Sequence, residues 1–219
     1  MRILHALVVL VAALAATPAQ ALEVLLLRHA ETLANVQDDY SVFNQRHFSA
    51  RGEAQVVELA RAWSGHRFDA VLVSPAHRAL RTIRPYLEQN GIVAEIWPEL
   101  DECCWQKPGE RSGTDTAALG GEVLVEQDMR PFFMVRSGSD GRVAAEESYA
   151  DGIRRVKQVA QMIQQRYGEG DLAVLVVVHQ LTGSRLAETL LGQSPDGRYR
   201  LDNASVTWLH GEAGRFSLV

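Results

Sequence analysis

The sequence predicts an α/β fold. Three uninterrupted apolar runs, VLLL at residues 24–27, AVLV at 70–73 and LAVLVVV at 172–178, are typical of strands buried on both faces of a sheet. The segments between these runs place apolar residues at helical spacing, so we expect helices to cover the sheet. Each run ends in polar residues, at the edge where open α/β sheets bind their ligands.

The first run delivers Arg28 and His29 to that edge. A guanidinium binds anionic oxygens in a planar fork, and an imidazole can carry a covalent intermediate. The pair therefore suits an anionic substrate attacked by a nitrogen nucleophile, and phosphate ester chemistry is the first hypothesis. The alternative is that both residues simply leave a buried strand for solvent.

Residues 1–21 have the pattern of a signal peptide. Arg2 precedes an apolar run at residues 6–16, and AQA at residues 19–21 resembles a small-x-small cleavage site. The run is short for a membrane span, and the alternatives are an amphipathic first helix or a retained anchor. We expect cleavage near Ala21, a periplasmic or secreted chain without a stable membrane span, and a single domain at residues 22–219.

The overall charge disfavours two classes of partner. The chain contains 22 Lys and Arg against 27 Asp and Glu, for a formal charge of −5. An acidic chain does not suggest nucleic acid or an anionic membrane surface as a partner. An anionic substrate would require positive charge to be concentrated locally.

The two cysteines, Cys103 and Cys104, are adjacent in sequence. Export permits disulfides, but neighbouring Cα atoms lie ~3.8 Å apart, below the usual disulfide span of ~4.4 Å or more. The sequence therefore predicts thiols that are free or redox-labile.

The segments around the second strand have recognisable periods. Residues 30–48 are polar and predict a loop with a short helix, and residues 52–63 predict an amphipathic helix. A short third strand is expected at residues 91–96, followed by a loop that contains Glu102.

A helix from residue 76 follows the second strand and is expected to kink or stop at Pro85. It carries Arg78 in its first turn, at the same sheet edge as His29. Backbone amides at this helix start add attraction for an anion.

Residues 103–145 form an irregular insertion, rich in Gly, Ser, Thr and acidic residues. A long insertion at the active edge is more often a functional lid than an idle loop, with simple mobility as the alternative. Helical spacing returns at Ser148, and the last apolar run ends at His179. If the first and last runs are parallel neighbours, His29 and His179 come together. A helix at 182–191 and closing strands at 206–209 and 216–219 complete the prediction.

These residues suit phosphoryl transfer. A phosphomonoester carries about one and a half to two negative charges near neutral pH, which Arg28, Arg78 and His179 as imidazolium would neutralise. His29 would attack in line and form phosphohistidine.

The leaving alkoxide then needs a proton from a carboxylic acid, for which Glu102 and Glu31 are the candidates. Water would attack the phosphohistidine with the same carboxylate as base, so the cycle needs neither a metal nor a cofactor.

The motifs of this chain resemble those of the histidine phosphatase superfamily, the phosphoglycerate mutase-like proteins. Matching segments follow one another in that family's order. They are LRHAET at residues 27–32 followed by Asn35, SPAHRA at 74–79 with Thr82, LDE at 100–102, Glu147 with Ser148, Val178 with His179, and NASVT at 203–207.

The resemblance implies a three-layer α/β/α sandwich around a mostly parallel sheet. It also implies a role for each matched residue: His29 as phosphorylated nucleophile, Glu102 as acid and base, Arg28, Arg78 and His179 as phosphoryl ligands, and Asn35 as a further phosphate contact. Glu31 is expected to orient its neighbours rather than to act as the acid.

Two positions depart from the family pattern. Ala30 and Gln180 stand where the family usually has Gly, which lets backbone approach a ligand closely. Ala30 is therefore expected to crowd the pocket and Gln180 to reach into it, with consequences for rate and substrate.

The preferred function is a metal-independent phosphatase that hydrolyses a phosphomonoester through phosphohistidine on His29. A phosphomutase or phosphotransferase would use the same residues, and a non-catalytic cell-envelope protein could use them to bind a phosphoryl ligand. The expected partner is a small phosphorylated substrate or a phosphorylated cell-envelope component. Sugar phosphates, phosphorylated lipopolysaccharide groups and protein phosphohistidine remain open, and no motif specifies an oligomeric state.

Overall fold

The computed structural model describes residues 21–104, 121–143 and 147–219, together with the backbone of a strand at residues 111–112. Residues 1–20 of the expected signal peptide lie outside the described residues. Export and cleavage near Ala21 therefore stay predictions.

A mostly parallel sheet forms the centre of the molecule. The described strands are β1 (Ala21–Arg28), β2 (Ala70–Val73), β3 (Ala94–Ile96), β4 (Arg111–Ser112), β5 (Phe133–Val135), β6 (Glu147–Ser148), β7 (Leu172–Val178), β8 (Val206–Glu212) and β9 (Arg215–Leu218). The sheet has seven strands in the order β5-β3-β2-β7-β1-β8-β9. The strands from β5 to β1 pair in parallel, whereas β8 is antiparallel to β1 and β9 is antiparallel to β8. A separate antiparallel pair joins β4 to β6.

Helices cover both faces of this sheet. They are α1 (Leu33–Gln37), α2 (Val42–Arg46), α3 (Ala50–Ala62), α4 (His77–Asn90), α5 (Tyr149–Tyr167) and α6 (Gln180–Leu190). One apolar cluster joins the sheet to α5 and α6 through residues such as Val156 and Leu186, and another joins the opposite face to α4 through Leu80 and Ile83. The expected α/β/α arrangement is confirmed. Among the described helices, none combines the length and apolar character of a membrane span.

The first and last apolar runs are parallel neighbours, as expected. Strand β1 pairs with β7 along its length, and Arg28 lies opposite Val178. The backbone N–H of His29 continues this ladder by donating to the carbonyl of Val178 at 3.0 Å. The pairing brings the His29 and His179 rings to a centroid distance of 5.2 Å.

Two predictions about elements are corrected in part: Pro85 does not stop the helix that contains it, and the insertion contributes one strand to the main sheet. Helix α4 runs through Pro85 to Asn90, because Ile83, Tyr86 and Leu87 around the proline are buried in the core, and that packing outweighs the loss of one backbone hydrogen bond. The insertion is also not wholly irregular, since β5 extends the main sheet in parallel with β3. A strand of three residues is too short to show a period in the sequence.

The expectation of free thiols is corrected as well, because Cys103 and Cys104 form a disulfide with a Cα–Cα distance of 3.7 Å. Adjacent side chains of an extended chain point in opposite directions. Cys104 instead has a φ of +66°, and this left-handed turn brings the two side chains to the same side. Both residues are buried beside helices α5 and α6.

Candidate active site

His29 lies just beyond β1 with its ring held in one orientation. Its Nδ1 donates to the carbonyl of Ala30 at 2.8 Å, which leaves the lone pair on Nε2. Nε2 accepts a hydrogen bond of 3.3 Å from Nε of Arg78. The backbone carbonyl of His29 accepts from Nδ2 of Asn203 at 3.0 Å. The tautomer is therefore the one that a nucleophilic Nε2 requires.

The surroundings of His29 keep it neutral. Burial lowers its pKa well below the ordinary 6.5, and the charges of Arg78 and Arg28 lower the pKa further. A neutral imidazole has the lone pair that attack on phosphorus needs.

The expectation that His179 is an imidazolium is corrected. Burial lowers the pKa of His179 well below 6.5, and the charges of Arg78 and Arg28 add to this effect. Its Nε2 lies 2.6 Å from Oγ of Ser74, which also accepts from the amide of Ala76. Ser74 is fully buried, and its hydroxyl has no acceptor other than Nε2 among the described residues. The hydroxyl therefore donates to Nε2, and Nδ1 carries the proton. This Nδ1 is buried and has no hydrogen-bond partner among the described residues, so it is a neutral donor available to a ligand.

These electrostatics predict a contrast between histidines. We expect His29 and His179 to remain neutral as the pH falls through about 6.5, the ordinary value, whereas the hydrogen bond with Glu23 raises the pKa of His210. The unfolded chain binds protons at the two buried rings before the folded chain does, so their contribution to the free energy of unfolding falls as the pH decreases below 6.5. Imidazole ¹⁵N chemical shifts, assigned with single His→Ala variants, measure the three titrations. Protonation of His29 at or above pH 6.5 would contradict this account.

Arg28 and Gln180 form one unit. Nη1 of Arg28 donates to the carbonyl of Leu201 at 2.7 Å and to Oε1 of Gln180 at 3.1 Å. Nε2 of Gln180 lies 3.4 Å from the carbonyl of Tyr199. The Gln180 side chain, which was expected to reach into the pocket, therefore binds Arg28 and helps to fix its orientation. The buried Nε of Arg28 has no partner in the described part of the chain.

Arg78 occupies the first turn of α4, as expected. Besides its contact with His29, its Nη1 donates to Oε1 of Gln45 at 3.1 Å. Burial lowers the pKa of Arg78, against the opposing charges of Asp101 and Glu102. A guanidinium in a protein nevertheless stays charged, so Arg78 places a positive charge beside the nucleophile.

The prediction that Ala30 crowds the pocket was wrong. Its side chain belongs to a small buried cluster with Phe48 and Val56. Its amide donates to Oγ1 of Thr82 at 2.9 Å, and Thr82 in turn donates to the carbonyl of Arg78 at 2.7 Å. The loop after β1 is thus tied to the helix that carries Arg78.

Glu102 is held at the start of helix α6. Its Oε1 accepts from the amide and the hydroxyl of Thr182 at 2.9 and 3.0 Å and from the amide of Cys103 at 3.2 Å. Its Oε2 accepts from the amide of Leu181 at 3.3 Å. The charge of Glu102 acts on both Arg28 and Arg78, which places the carboxylate at the same site.

The remaining predicted residues lie around this centre. Asn35 accepts at Oδ1 from Nδ2 of Asn203 at 3.1 Å and from the amide of Thr32 at 3.1 Å, so it supports the loop of His29. Glu31 points towards α3, where it accepts from Oγ of Ser49 at 2.6 Å. This contact agrees with an orienting role for Glu31 rather than with that of the acid.

Other contributors were not predicted as site residues from the sequence. Asn203 and Ser74 lie in matched motifs, but no role was predicted for either residue. Gln45 and Thr182 carry no local signal. Arg155, which contacts the loop of Glu102, was also not predicted. Arg155 could have been noticed, because a charged residue at the helical spacing of Val156, Val159 and Ile163 falls near an apolar face. Within the described residues, no group of three or more His, Cys, Asp or Glu side chains is placed to hold a metal ion.

Comparison with known proteins gives a family and a fold. The sequence profile of the histidine phosphatase superfamily (branch 1) matches residues 24–219. A segment of 77 residues is 39% identical to the adenosylcobalamin/alpha-ribazole phosphatase of Escherichia coli, and this match spans 35% of the chain and 38% of that relative.

Solved structures agree over a longer range. The alpha-ribazole phosphatase of Shigella flexneri superposes with a TM-score of 0.65 at 23% identity, over 90% of this chain and 94% of that one. The phosphoglycerate mutase of Bacillus anthracis superposes with a TM-score of 0.62 at 17% identity, over 92% of each chain. At these identities the likeness establishes the fold.

Proposed function

Because the chain belongs to the histidine phosphatase superfamily, we propose that it hydrolyses a phosphomonoester through a phosphohistidine on His29. One observation carries this proposal. The lone pair on Nε2 of His29 lies beside Nε of Arg78 at 3.3 Å, next to buried donors on Arg28 and His179 that have no partner among the described residues. Buried donors without partners are costly unless a ligand accepts from them, and phosphoryl oxygens are strong acceptors.

In the first step, Nε2 of His29 forms a bond to phosphorus as the bond from phosphorus to the ester oxygen breaks. Arg28, Arg78 and His179 donate to the three non-bridging oxygens, whose charge is shared through the transition state. The leaving alkoxide takes a proton from the carboxyl group of Glu102, which must be in its acid form at this step.

In the second step, water attacks the phosphohistidine. The N–P bond breaks, the electron pair returns to Nε2, and the carboxylate of Glu102 takes the proton of the attacking water. The carboxyl group is then ready for another cycle. Each step uses only residues of this chain and water.

The phosphomutase and binding-protein alternatives use the same residues with a different outcome. A mutase must exclude water from the phosphohistidine, and a binding site needs neither a neutral nucleophile nor a fixed carboxylate. The relatives named as alpha-ribazole phosphatases make alpha-ribazole 5′-phosphate one substrate to test, beside sugar phosphates and phosphorylated envelope components. Export with cleavage near Ala21 is part of the proposal and is supported by the pattern of residues 1–21.

The test is turnover together with trapping of the intermediate. We expect the purified chain to hydrolyse p-nitrophenyl phosphate in the presence of EDTA, with one phosphoryl group bound per chain after an alkaline quench, because phosphohistidine survives alkali and decays in acid. Mass spectrometry of the quenched protein should place this group on the peptide that contains His29. A folded protein that binds phosphate but shows neither turnover nor a phosphorylated peptide would favour the binding-protein alternative.

A further inference from the structure

Helix α5 holds the backbone of the loop that ends at Glu102. The guanidinium of Arg155 donates from Nη1 to the carbonyls of Glu99 and Asp101 at 2.6 and 2.9 Å. Its Nη2 lies 3.5 Å from the carbonyl of Glu102 itself. One side chain thus contacts three carbonyls within four residues of chain and fixes the path of the loop.

Arg155 is itself fixed by Glu147. Nε and Nη2 of Arg155 each lie 2.7 Å from a carboxylate oxygen of Glu147, and the residues are only 8% and 5% exposed. A buried ion pair contributes little net stability, because desolvation of the two charges offsets their attraction. The more direct consequence of this pair is that the guanidinium faces the loop in a single orientation.

Helix α6 also holds this loop. The hydroxyl of Thr182 lies 3.0 Å from Oε1 of Glu102 and 2.9 Å from the carbonyl of Asp101. The amide of Thr182 donates to the same carboxylate oxygen at 2.9 Å. Thr182 is buried, so water does not compete for these contacts.

We propose that Arg155 and Thr182 are positioning residues that hold Glu102 where it can exchange a proton with the leaving group and then with water. The inference rests on the proposed function, in which Glu102 is the acid and base. A general acid must lie within about 2.6–3.2 Å of the oxygen that it protonates, so a loosened loop impairs proton transfer more than phosphoryl binding. In the described part of the chain, neither residue has a hydrogen bond to Arg28, His29 or Arg78.

Leaving groups of different basicity separate the two effects. Dinitrophenolate departs without a proton, whereas phenolate departs faster when it receives one. We therefore compare kcat/KM for 2,4-dinitrophenyl phosphate and phenyl phosphate. Thr182→Val keeps the branched shape of the side chain and the backbone amide of residue 182, but it removes the hydroxyl. Thr182→Ser keeps the hydroxyl.

A second pair of variants probes helix α5. The double variant Arg155→Met with Glu147→Gln removes both buried charges, so that neither is left unpaired. The matched control is Arg166→Met with Glu95→Gln, since Arg166 on the same helix also binds both carboxylate oxygens of its partner, at 2.7 and 2.6 Å, but is exposed.

We expect Thr182→Val and the Arg155 double variant to lose kcat/KM for phenyl phosphate roughly tenfold more than for 2,4-dinitrophenyl phosphate, in the same direction as Glu102→Gln, for which the excess loss is about 10²-fold. Thr182→Ser and the Arg166 control should keep the wild-type ratio. An equal loss on both substrates would overturn the proposal, because it would indicate a general structural effect. If the double variant fails to fold, Thr182→Val decides the question.

Failure of the proposal is distinguishable from failure of the proposed function. If Glu102→Gln shows no dependence on the leaving group, Glu102 is not the acid and the positioning inference falls, while an alkali-stable phosphopeptide from the wild type still supports the phosphatase. If the wild type neither turns over nor forms that peptide, both are overturned.

Discussion

Replacement of His29 by Ala is expected to abolish hydrolysis, with a loss in kcat of roughly 10⁴-fold or more, as is typical when a nucleophile is removed. The two imidazoles of the site are not interchangeable. Nε2 of His179 is occupied by the Ser74 hydroxyl at 2.6 Å, so His29 alone presents a lone pair beside the cations. Steady-state turnover and the yield of alkali-stable phosphoprotein measure the effect.

His210→Ala is the matched control for this experiment. His210 lies on β8 and pairs with Glu23, away from the strand ends that form the site, so its removal should leave kcat within about twofold of the wild type. Circular dichroism checks that both variants are folded. Substantial turnover by folded His29→Ala would show that His29 is not the nucleophile.

Replacement of Arg78 by Met is expected to lower kcat/KM by about 10²- to 10³-fold, the usual consequence of removing one preorganised donor to developing charge. Arg78 is partly buried, its Nε reaches His29 and its Nη1 reaches Gln45, so its guanidinium is held in place beside the nucleophile. Arg78→Lys keeps a positive charge without the fork and should recover only part of the loss. Steady-state hydrolysis of a phosphomonoester gives kcat/KM for both Arg78 variants.

Arg81→Met provides the comparison for Arg78. Arg81 follows on the same helix and pairs with Glu53 at 3.2 Å near the surface, where an ion pair contributes little. The Arg81→Met variant should retain nearly full activity. If Arg78→Met and Arg81→Met lost the same amount of kcat/KM, a direct role of Arg78 at the phosphoryl group would be excluded.

The strands and the main site residues could be predicted because their signals are local. An apolar run such as residues 172–178 identifies a buried strand by itself, and the polar residue that follows the run marks the sheet edge that binds ligands. His29, Arg28, Arg78 and His179 all lie at such strand ends or at the helix start that follows one. The structure brings these four together as expected.

Short or tightly packed elements were harder to predict. Strand β5 is three residues long and has no period of its own, so only its pairing with β3 defines it. Pro85 carries a local signal that favours a break, but the burial of its neighbours in the core maintains helix α4. In both cases, contacts that are remote in sequence outweigh a local preference.

The sequence by itself determined the α/β class, the three apolar strands at the centre of the sheet, and the candidate nucleophile with its cations, because a buried strand and the polar residues at its end can be recognised from neighbouring residues. Only the tertiary structure decided the charge and the positions of the groups at the site. His179 is neutral because burial and the surrounding cations lower its pKa. Glu102 is fixed by Thr182, 80 residues away, and such contacts exist only once α5 and α6 have packed on the sheet.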